Sequence, residues 1–130
     1  MNKNLPTAPE AIGNYVTYKK VGNFVYTSGH VPITSNKSFV GKIPSEVSLE
    51  DGYKAAELCA ELTISSLIKY GDIENLQPVN VIGFVNANEG FEDHAKVLNG
   101  FTDKLAEYFS EKSTRSAVGL SLIHIWRCRR

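Results

Sequence analysis

The sequence predicts an α+β fold in which two helices pack on a mixed β-sheet. Three observations carry this prediction: a β-hairpin pattern near the N-terminus, two amphipathic helix patterns, and a strongly apolar strand between the helices. Their order is hairpin, helix, strand, helix, strand. Because the strand–helix–strand part of this order is typical of a crossover connection, we expect both helices to share one face of the sheet.

The hairpin is predicted within residues 14–27. Two β-rich runs, Asn14–Tyr18 and Phe24–Thr27, flank a segment that ends in the turn signal Gly22-Asn23. The second strand ends at Ser28-Gly29. A polar, proline-containing stretch follows, in which we predict a loop and a short strand near Ser38–Val40.

The first helix is predicted from Ser48 onward. Ser48 suits an N-cap, and Glu50 and Asp51 place negative charge at the positive end of the helix dipole. Gly71 can then end the helix in a left-handed conformation. One buried face is indicated by apolar residues at positions i, i+3, i+4 and i+7: Ala55, Leu58, Cys59 and Leu62.

The second half of the chain predicts a strand, a helix and a further strand. Pro78–Ala87 is apolar at nearly every position, so we expect a strand with both faces buried. A second helix is predicted from about Asp93 to Phe109. Arg115–Gly119 begins the last predicted strand.

Composition indicates one ordinary globular domain. The 130 residues are 42% hydrophobic and 22% charged, and no apolar run approaches the length of a membrane span. The N-terminus lacks an apolar signal core, so the expected location is the cytoplasm. The cysteines, Cys59 and Cys128, lack metal-ligand spacing and the three histidines are scattered, so no metal site is predicted.

The last eleven residues differ from the rest of the chain. Three of the four arginines, the only tryptophan and one of the two cysteines lie in residues 120–130. This segment resembles a translated sequencing adapter, so we interpret residues 1–119 as the single domain and residues 120–130 as a non-native tail. A genuine basic tail that binds anionic lipid or nucleic acid, or a real strand, are the alternatives.

The charge balance changes when the tail is set aside. Residues 1–119 hold 11 basic and 14 acidic residues, a net charge of −3, whereas the whole chain is neutral. An acidic balance argues against a dedicated nucleic-acid binder.

Two places suggest binding chemistry. The run Tyr26–Pro32 places small residues at a strand end, where backbone N–H groups and a hydroxyl can hold an anionic or carbonyl group; a plain strand-to-loop turn is the alternative. Arg115 is the only arginine before the tail. A guanidinium binds a carboxylate bidentately as lysine cannot, although a surface salt bridge would equally account for it.

These motifs together resemble the Rid family of reactive intermediate deaminases, also called YjgF or RidA proteins. The resemblance lies in Gly13-Asn14-Tyr15, in Val21–Pro32, in Phe84-Val85-Asn86 with Leu98-Asn99-Gly100, and in Arg115–Gly119. The matching motifs run in order from about Gly13 to Gly119, nearly all of the chain before the tail.

The resemblance implies a chorismate-mutase-like fold and a homotrimer with sites between subunits. It also implies cofactor-free hydrolysis of enamine and imine intermediates, such as 2-aminoacrylate and 2-iminopropanoate, to a 2-oxo acid and ammonia. By position, Arg115 would be the catalytic residue that grips the substrate carboxylate. The other implied substrate-binding residues are Tyr15, Ser28, Gly29, His30 and Asn99.

The chain departs from the family pattern in three ways. His30 stands where glutamine is more usual, and Ala117 stands where some deaminases carry cysteine. The family's final strand, which supplies a glutamate that helps activate water, is missing or replaced, because no acidic residue follows Glu111. We therefore expect the 130-residue chain to be weak or inactive as an enzyme.

Two other functions remain open at this stage. A family member could bind small carboxylates or 2-oxo acids as a regulator without turnover, since a fold does not fix a function. Ribonuclease activity is suggested only by an older family name, and the acidic balance argues against it. No nucleic-acid or membrane partner is predicted.

Overall fold

A computed structural model of the chain describes residues 4–120. The residues interpreted as a tail therefore lie, apart from Leu120, outside the described range. The elements follow the predicted order: β1 (Tyr18–Val21), β2 (Phe24–Thr27), α1 (Leu49–Tyr70), a 3-10 turn (Ile73–Asn75), β3 (Asn80–Val85), α2 (His94–Leu105) and β4 (Thr114–Gly119).

The first strand of the N-terminal hairpin begins at Tyr18, four residues later than predicted, whereas the second strand has the predicted bounds Phe24–Thr27. The two antiparallel strands are joined by the two-residue loop Gly22-Asn23, and Val21 pairs directly with Phe24. Gly22 has a φ of 58°, the positive value that a tight hairpin turn requires at this position. Because the loop has only two residues, the lysines before it belong to the strand, which the β-rich pattern missed.

The first helix begins and ends at the predicted residues. The Ser48 hydroxyl accepts a hydrogen bond from the Asp51 N–H at 3.0 Å. At the other end, the Gly71 N–H donates to the Leu67 carbonyl at 3.2 Å. Gly71 has a φ of 143°, which is positive but more extended than the left-handed helical value we predicted. The strand predicted near Ser38–Val40 is only an isolated bridge between Ile33 and Ser38.

Strands β3 and β4 run parallel with Val81 opposite Arg115 and Val85 opposite Gly119. Side chains alternate between the two faces of this pair. The face with Val81 and Val85 packs on the helices, and the other face exposes Ile82 and Phe84 at 58% and 59%. The prediction that both faces of this strand are buried is therefore wrong for the single chain, because the helices cover only one of them.

The core lies between the helices and the inner face of β3. It has two apolar clusters, one around Ile43, Val85, Ala87 and Val97, the other around Ile64, Ile73, Leu105 and Phe109. Helix α2 ends at Leu105, earlier than predicted, although Phe109 is still buried through a turn beyond the helix.

Three glycines mark close approaches within this layer. A Cβ at Gly100 would stand 2.1 Å from the Tyr53 carbonyl oxygen, so α2 crosses α1 with the two backbones almost touching. A Cβ at Gly83 would stand 2.3 Å from Leu98 Cδ1, and one at Gly119 would stand 2.6 Å from His94 Nε2. A larger residue at Gly100 would meet backbone that cannot move aside, whereas at Gly83 or Gly119 it would have to displace the Leu98 or His94 side chain.

The described residues form two separate two-stranded sheets, β1-β2 and β3-β4, rather than one continuous mixed sheet. The α+β class is nevertheless confirmed, with two helices on small sheets. Within residues 4–120, neither helix has the length and apolar character needed to cross a membrane.

Candidate functional site

Arg115 lies near the start of β4, on the side of the strand that faces the helices. Its register partner Val81 packs into the core, which places the arginine on the same face. One guanidinium nitrogen, Nη1, donates to the Thr102 hydroxyl of α2 at 3.1 Å. Arg115 has no ion pair with any carboxylate of residues 4–120, and its side chain is exposed. The remaining guanidinium donors can therefore bind an anion.

Helix α2 brings Asn99 to the same region as Arg115. Asn99 and Thr102 are three residues apart, so they share one face of the helix. Asn99 is half-buried, and its carbonyl accepts a hydrogen bond from the Thr102 hydroxyl at 3.4 Å. Thr102 was not a candidate in the sequence, where nothing local distinguishes it from any other helical threonine.

The bend after β2 forms a second group. The Ser28 hydroxyl donates to the Val16 carbonyl at 2.5 Å, and the Ser28 N–H donates to the Thr17 carbonyl at 2.9 Å. The hydroxyl proton is therefore occupied, and toward a ligand Ser28 Oγ is an acceptor. Gly29 is exposed, and a Cβ built on it would meet nothing within 4 Å. No acceptor within residues 4–120 takes its N–H, so this amide can donate to a bound group.

Tyr15 lies on the segment that leads into β1. Its N–H donates to the Gly13 carbonyl at 2.9 Å, and its hydroxyl accepts a long hydrogen bond of 3.5 Å from the Ile12 N–H. The ring is 48% exposed. The phenol proton is thus available to a ligand that approaches this surface.

His30 points toward α1 rather than outward from the bend. Nε2 lies 3.0 Å from the Ser66 hydroxyl and Nδ1 lies 3.2 Å from the Thr63 hydroxyl. Burial lowers the pKa of His30 from its ordinary value of 6.5, and a hydrogen bond to the Ser28 backbone opposes this shift. The imidazole is therefore neutral near pH 7 and has both nitrogens occupied.

Cys59 lies beside His30 on α1, where its thiol donates to the His30 carbonyl at 3.4 Å. Burial raises the pKa of the thiol to about 12, so it is protonated and a poor nucleophile. This agrees with the interpretation of Cys59 as a small apolar residue. No group of three or more potential metal ligands occurs in the part of the chain that the structure describes.

The predicted site residues thus lie in two groups. Arg115 and Asn99 are each bonded to Thr102 of α2. The other four, Tyr15, Ser28, Gly29 and His30, lie at or before the bend that follows β2. Among the described residues, no hydrogen bond or ion pair connects one group to the other. One group therefore offers an exposed guanidinium, and the other offers a backbone amide that no acceptor within residues 4–120 uses.

Comparisons with known proteins place this geometry in a family. A family model described as "YjgF/chorismate mutase-like, putative endoribonuclease" matches residues 2–124. The chain belongs to the YjgF family. Membership agrees with the resemblance read from the Ser28-Gly29 bend and the Arg115 strand.

Three relatives of this YjgF-family chain illustrate its range. It is 28% identical to Protein TCP17 of Trypanosoma cruzi, over 90% of this chain and 77% of that protein. It is 33% identical to the 2-iminobutanoate/2-iminopropanoate deaminase of Escherichia coli K12, over 53% of this chain and 57% of the deaminase. A crystal structure from Shewanella oneidensis MR-1, described as a "putative endoribonuclease", is 28% identical with a TM-score of 0.81, over 88% of this chain and 80% of that chain.

Proposed function

We propose that this chain binds small 2-imino or 2-oxo carboxylates through Arg115 and belongs to the hydrolytic imine deaminases of its family. The observation that carries the proposal is that the Arg115 guanidinium has hydrogen-bond donors left for a ligand. Its guanidinium is exposed, is held by Thr102, and has no acidic partner within residues 4–120, which leaves donors for a carboxylate. The similarity to an imine deaminase over half the chain supports the substrate class.

The proposed reaction needs binding, orientation and water. Arg115 holds the substrate carboxylate bidentately, and backbone amides at the bend donate to the other end of the substrate. Water adds to the imine carbon, the C–N bond breaks, and ammonia leaves as the carbonyl forms. Much of the rate can come from fixing the imine carbon in a reactive position.

The test measures binding and turnover separately on the 130-residue chain. Calorimetry with 2-oxobutyrate reports binding, and the decay of 2-iminopropanoate reports turnover. We expect this chain to bind 2-oxobutyrate but to turn over 2-iminopropanoate weakly or not at all, and we expect Arg115→Ala to abolish the binding and any turnover. Arg115→Lys should retain only part of the binding, because an ammonium cannot form the bidentate pair. Binding that is equal in the parent and in Arg115→Ala contradicts the proposal.

A non-catalytic binding role is the second candidate. It is favoured because the groups at the two parts of the site, the Arg115 guanidinium and the Gly29 amide, are donors that can hold a carboxylate or carbonyl but cannot act as a base toward water. Arg115-dependent binding of 2-oxobutyrate without faster decay of 2-iminopropanoate would select this role over catalysis.

We further propose that the complete site forms between copies of the chain in a homotrimer. The two groups of site residues are not bonded to each other in one copy, and the outer strand faces expose Phe24, Tyr26, Ile82 and Phe84. Apolar faces of this kind are typical of surfaces covered by a partner. Analytical ultracentrifugation tests the trimer, and a monomer at micromolar concentration argues against it.

Mixed oligomers test the shared site directly. Gly29→Leu fills the open space at the bend, and Arg115→Ala removes the guanidinium. Each variant alone should fail to bind 2-oxobutyrate. After unfolding and refolding of an equal mixture, a cyclic trimer with shared sites regains about a quarter of the parent binding sites. No recovery is expected if both groups must come from one copy.

A further inference from the structure

His30 has its two ring nitrogens bonded to one face of α1. Thr63 and Ser66 meet Nδ1 and Nε2, and the Cys59 thiol meets the His30 carbonyl. These three helix residues follow the spacing i, i+4 and i+7, so they form one continuous stripe on α1. The stripe occupies every polar atom of the imidazole and leaves none for a substrate.

The hydrogen bonds also determine where the imidazole proton resides. The Thr63 hydroxyl donates its single proton to the Cys59 carbonyl at 2.8 Å, so toward His30 its oxygen can only accept. Nδ1 must therefore carry the proton. The unprotonated Nε2 then accepts from the Ser66 hydroxyl. Of the two neutral tautomers, only the Nδ1–H form satisfies both bonds.

Ser66 is specialised for this contact. It is fully buried, with a relative exposure of 0%, and its hydroxyl bonds to His30. A buried hydroxyl without a hydrogen-bond partner destabilises the protein, so the bond to His30 stabilises Ser66 as well as the imidazole. The neighbouring Ser65 is also buried, but its hydroxyl bonds to the Pro6 and Glu61 carbonyls and has no contact with the bend.

The bend is thereby held from two sides. Ser28 ties it to the segment before β1, and His30 ties it to α1. Gly29 lies between these two anchors with its N–H unused by residues 4–120. Because both neighbours are fixed by side-chain hydrogen bonds, the direction of the Gly29 amide is fixed as well.

We propose that His30 is a positioning residue rather than a substrate ligand: it orients the Gly29 amide toward the bound substrate by clamping the bend to Thr63 and Ser66. The inference rests on the proposed function of the bend as a binding site. It assigns His30 a different role from the direct substrate contact expected from its place in the motif. Thr63 and Ser66 of α1 thereby determine the direction of the Gly29 amide, although neither would contact the substrate.

A matched pair of serine variants tests this role. Ser66→Ala removes the partner of Nε2, whereas Ser65→Ala removes a buried hydroxyl one residue away that serves other acceptors. We expect Ser66→Ala to weaken 2-oxobutyrate binding about fivefold to tenfold, the effect of losing one orienting hydrogen bond. Ser65→Ala should leave binding unchanged. Equal effects of the two variants on binding overturn the proposal.

Two further measurements separate positioning from contact. Long-range ¹H–¹⁵N NMR of the His30 ring should report the Nδ1–H tautomer both free and saturated with 2-oxobutyrate; an Nε2–H tautomer, or a tautomer change on binding, contradicts the clamp. His30→Gln keeps one donor and one acceptor for Thr63 and Ser66, so it should bind 2-oxobutyrate more tightly than His30→Ala does.

The proposed function fails by a different result. If the parent does not bind 2-oxobutyrate, or if Arg115→Ala binds it as the parent does, the anion site is wrong. The NMR tautomer and the structural link between His30 and Ser66 are measured independently of that outcome.

Discussion

The contact between Gly100 and α1 gives a sharp prediction for stability. In Gly100→Ala, the new methyl carbon would lie 2.1 Å from the Tyr53 carbonyl oxygen and 2.9 Å from the carbonyl carbon. Carbon–oxygen contacts relax to about 3.3 Å, so the two helices must separate locally by roughly 1 Å. Backbone atoms cannot rotate away, and the adjacent core contacts must open with them.

Two opposing terms set the magnitude. Alanine in the middle of a helix is favoured over glycine by about 0.5–1 kcal/mol. Overpacking a core costs about 1–3 kcal/mol, and a contact with backbone belongs at the upper end of that range. We expect Gly100→Ala to lower the free energy of unfolding by about 2 kcal/mol.

The matched control is Gly52→Ala in α1. A methyl group there meets Ile43 Cδ1 at 2.5 Å, but that atom is the end of a flexible side chain. We expect a loss below about 1 kcal/mol, because the isoleucine can change rotamer while the helix gains propensity. Urea unfolding followed by circular dichroism, at one fixed protein concentration, measures both variants. A Gly100→Ala variant that is as stable as the parent would show that α1 and α2 do not approach this closely.

Three further predictions concern single groups. Burial lowers the folded-state pKa of His30 below 6.5, so the unfolded chain binds the proton more readily. The contribution of His30 to the free energy of unfolding should therefore be fully present above about pH 6.5 and decrease as the pH drops toward the folded-state pKa, and this pH dependence should be absent in His30→Gln. Cys59, with a pKa of about 12, should react with a thiol reagent at pH 8 only after denaturant is added, measured in a Cys128→Ser background, and rapid native labelling would contradict its burial. Ser48→Ala should destabilise the protein by about 1 kcal/mol in thermal unfolding, while an unchanged midpoint would mean that the Asp51 N–H finds another acceptor.

Local signals in the sequence predicted the local parts of the fold. Ser48 and Gly71 mark the ends of α1 because caps depend on residues within one turn. Gly22-Asn23 located the hairpin turn, but the β-rich pattern placed the first strand too early. The outer face of β3 could not be predicted from its apolar run, since Ile82 and Phe84 look the same in sequence whether a helix covers them or not.

For the candidate site, the sequence likewise identified individual residues but not the residues they contact. Arg115 was identifiable because it is the only arginine before the tail, and the Ser28-Gly29 bend because small residues end a strand. The partners of these residues were not identifiable. Thr102 is 13 residues from Arg115, and Ser66 is 36 residues from His30, so only tertiary packing brings them together.

The tight space at Gly119 has a consequence for how the chain tolerates insertions. Arg115, Ala117 and Gly119 share the inward side of β4, and a side chain at position 119 would press on the His94 imidazole. If one residue were inserted between Thr114 and Arg115, Arg115 would turn to the outer face and Val118 would take the place of Gly119 against the imidazole. The close contact at Gly119 therefore disfavours a shifted β4: the same insertion that turns Arg115 outward places a valine against His94. We expect tolerated insertions to lie in the connection before Thr114.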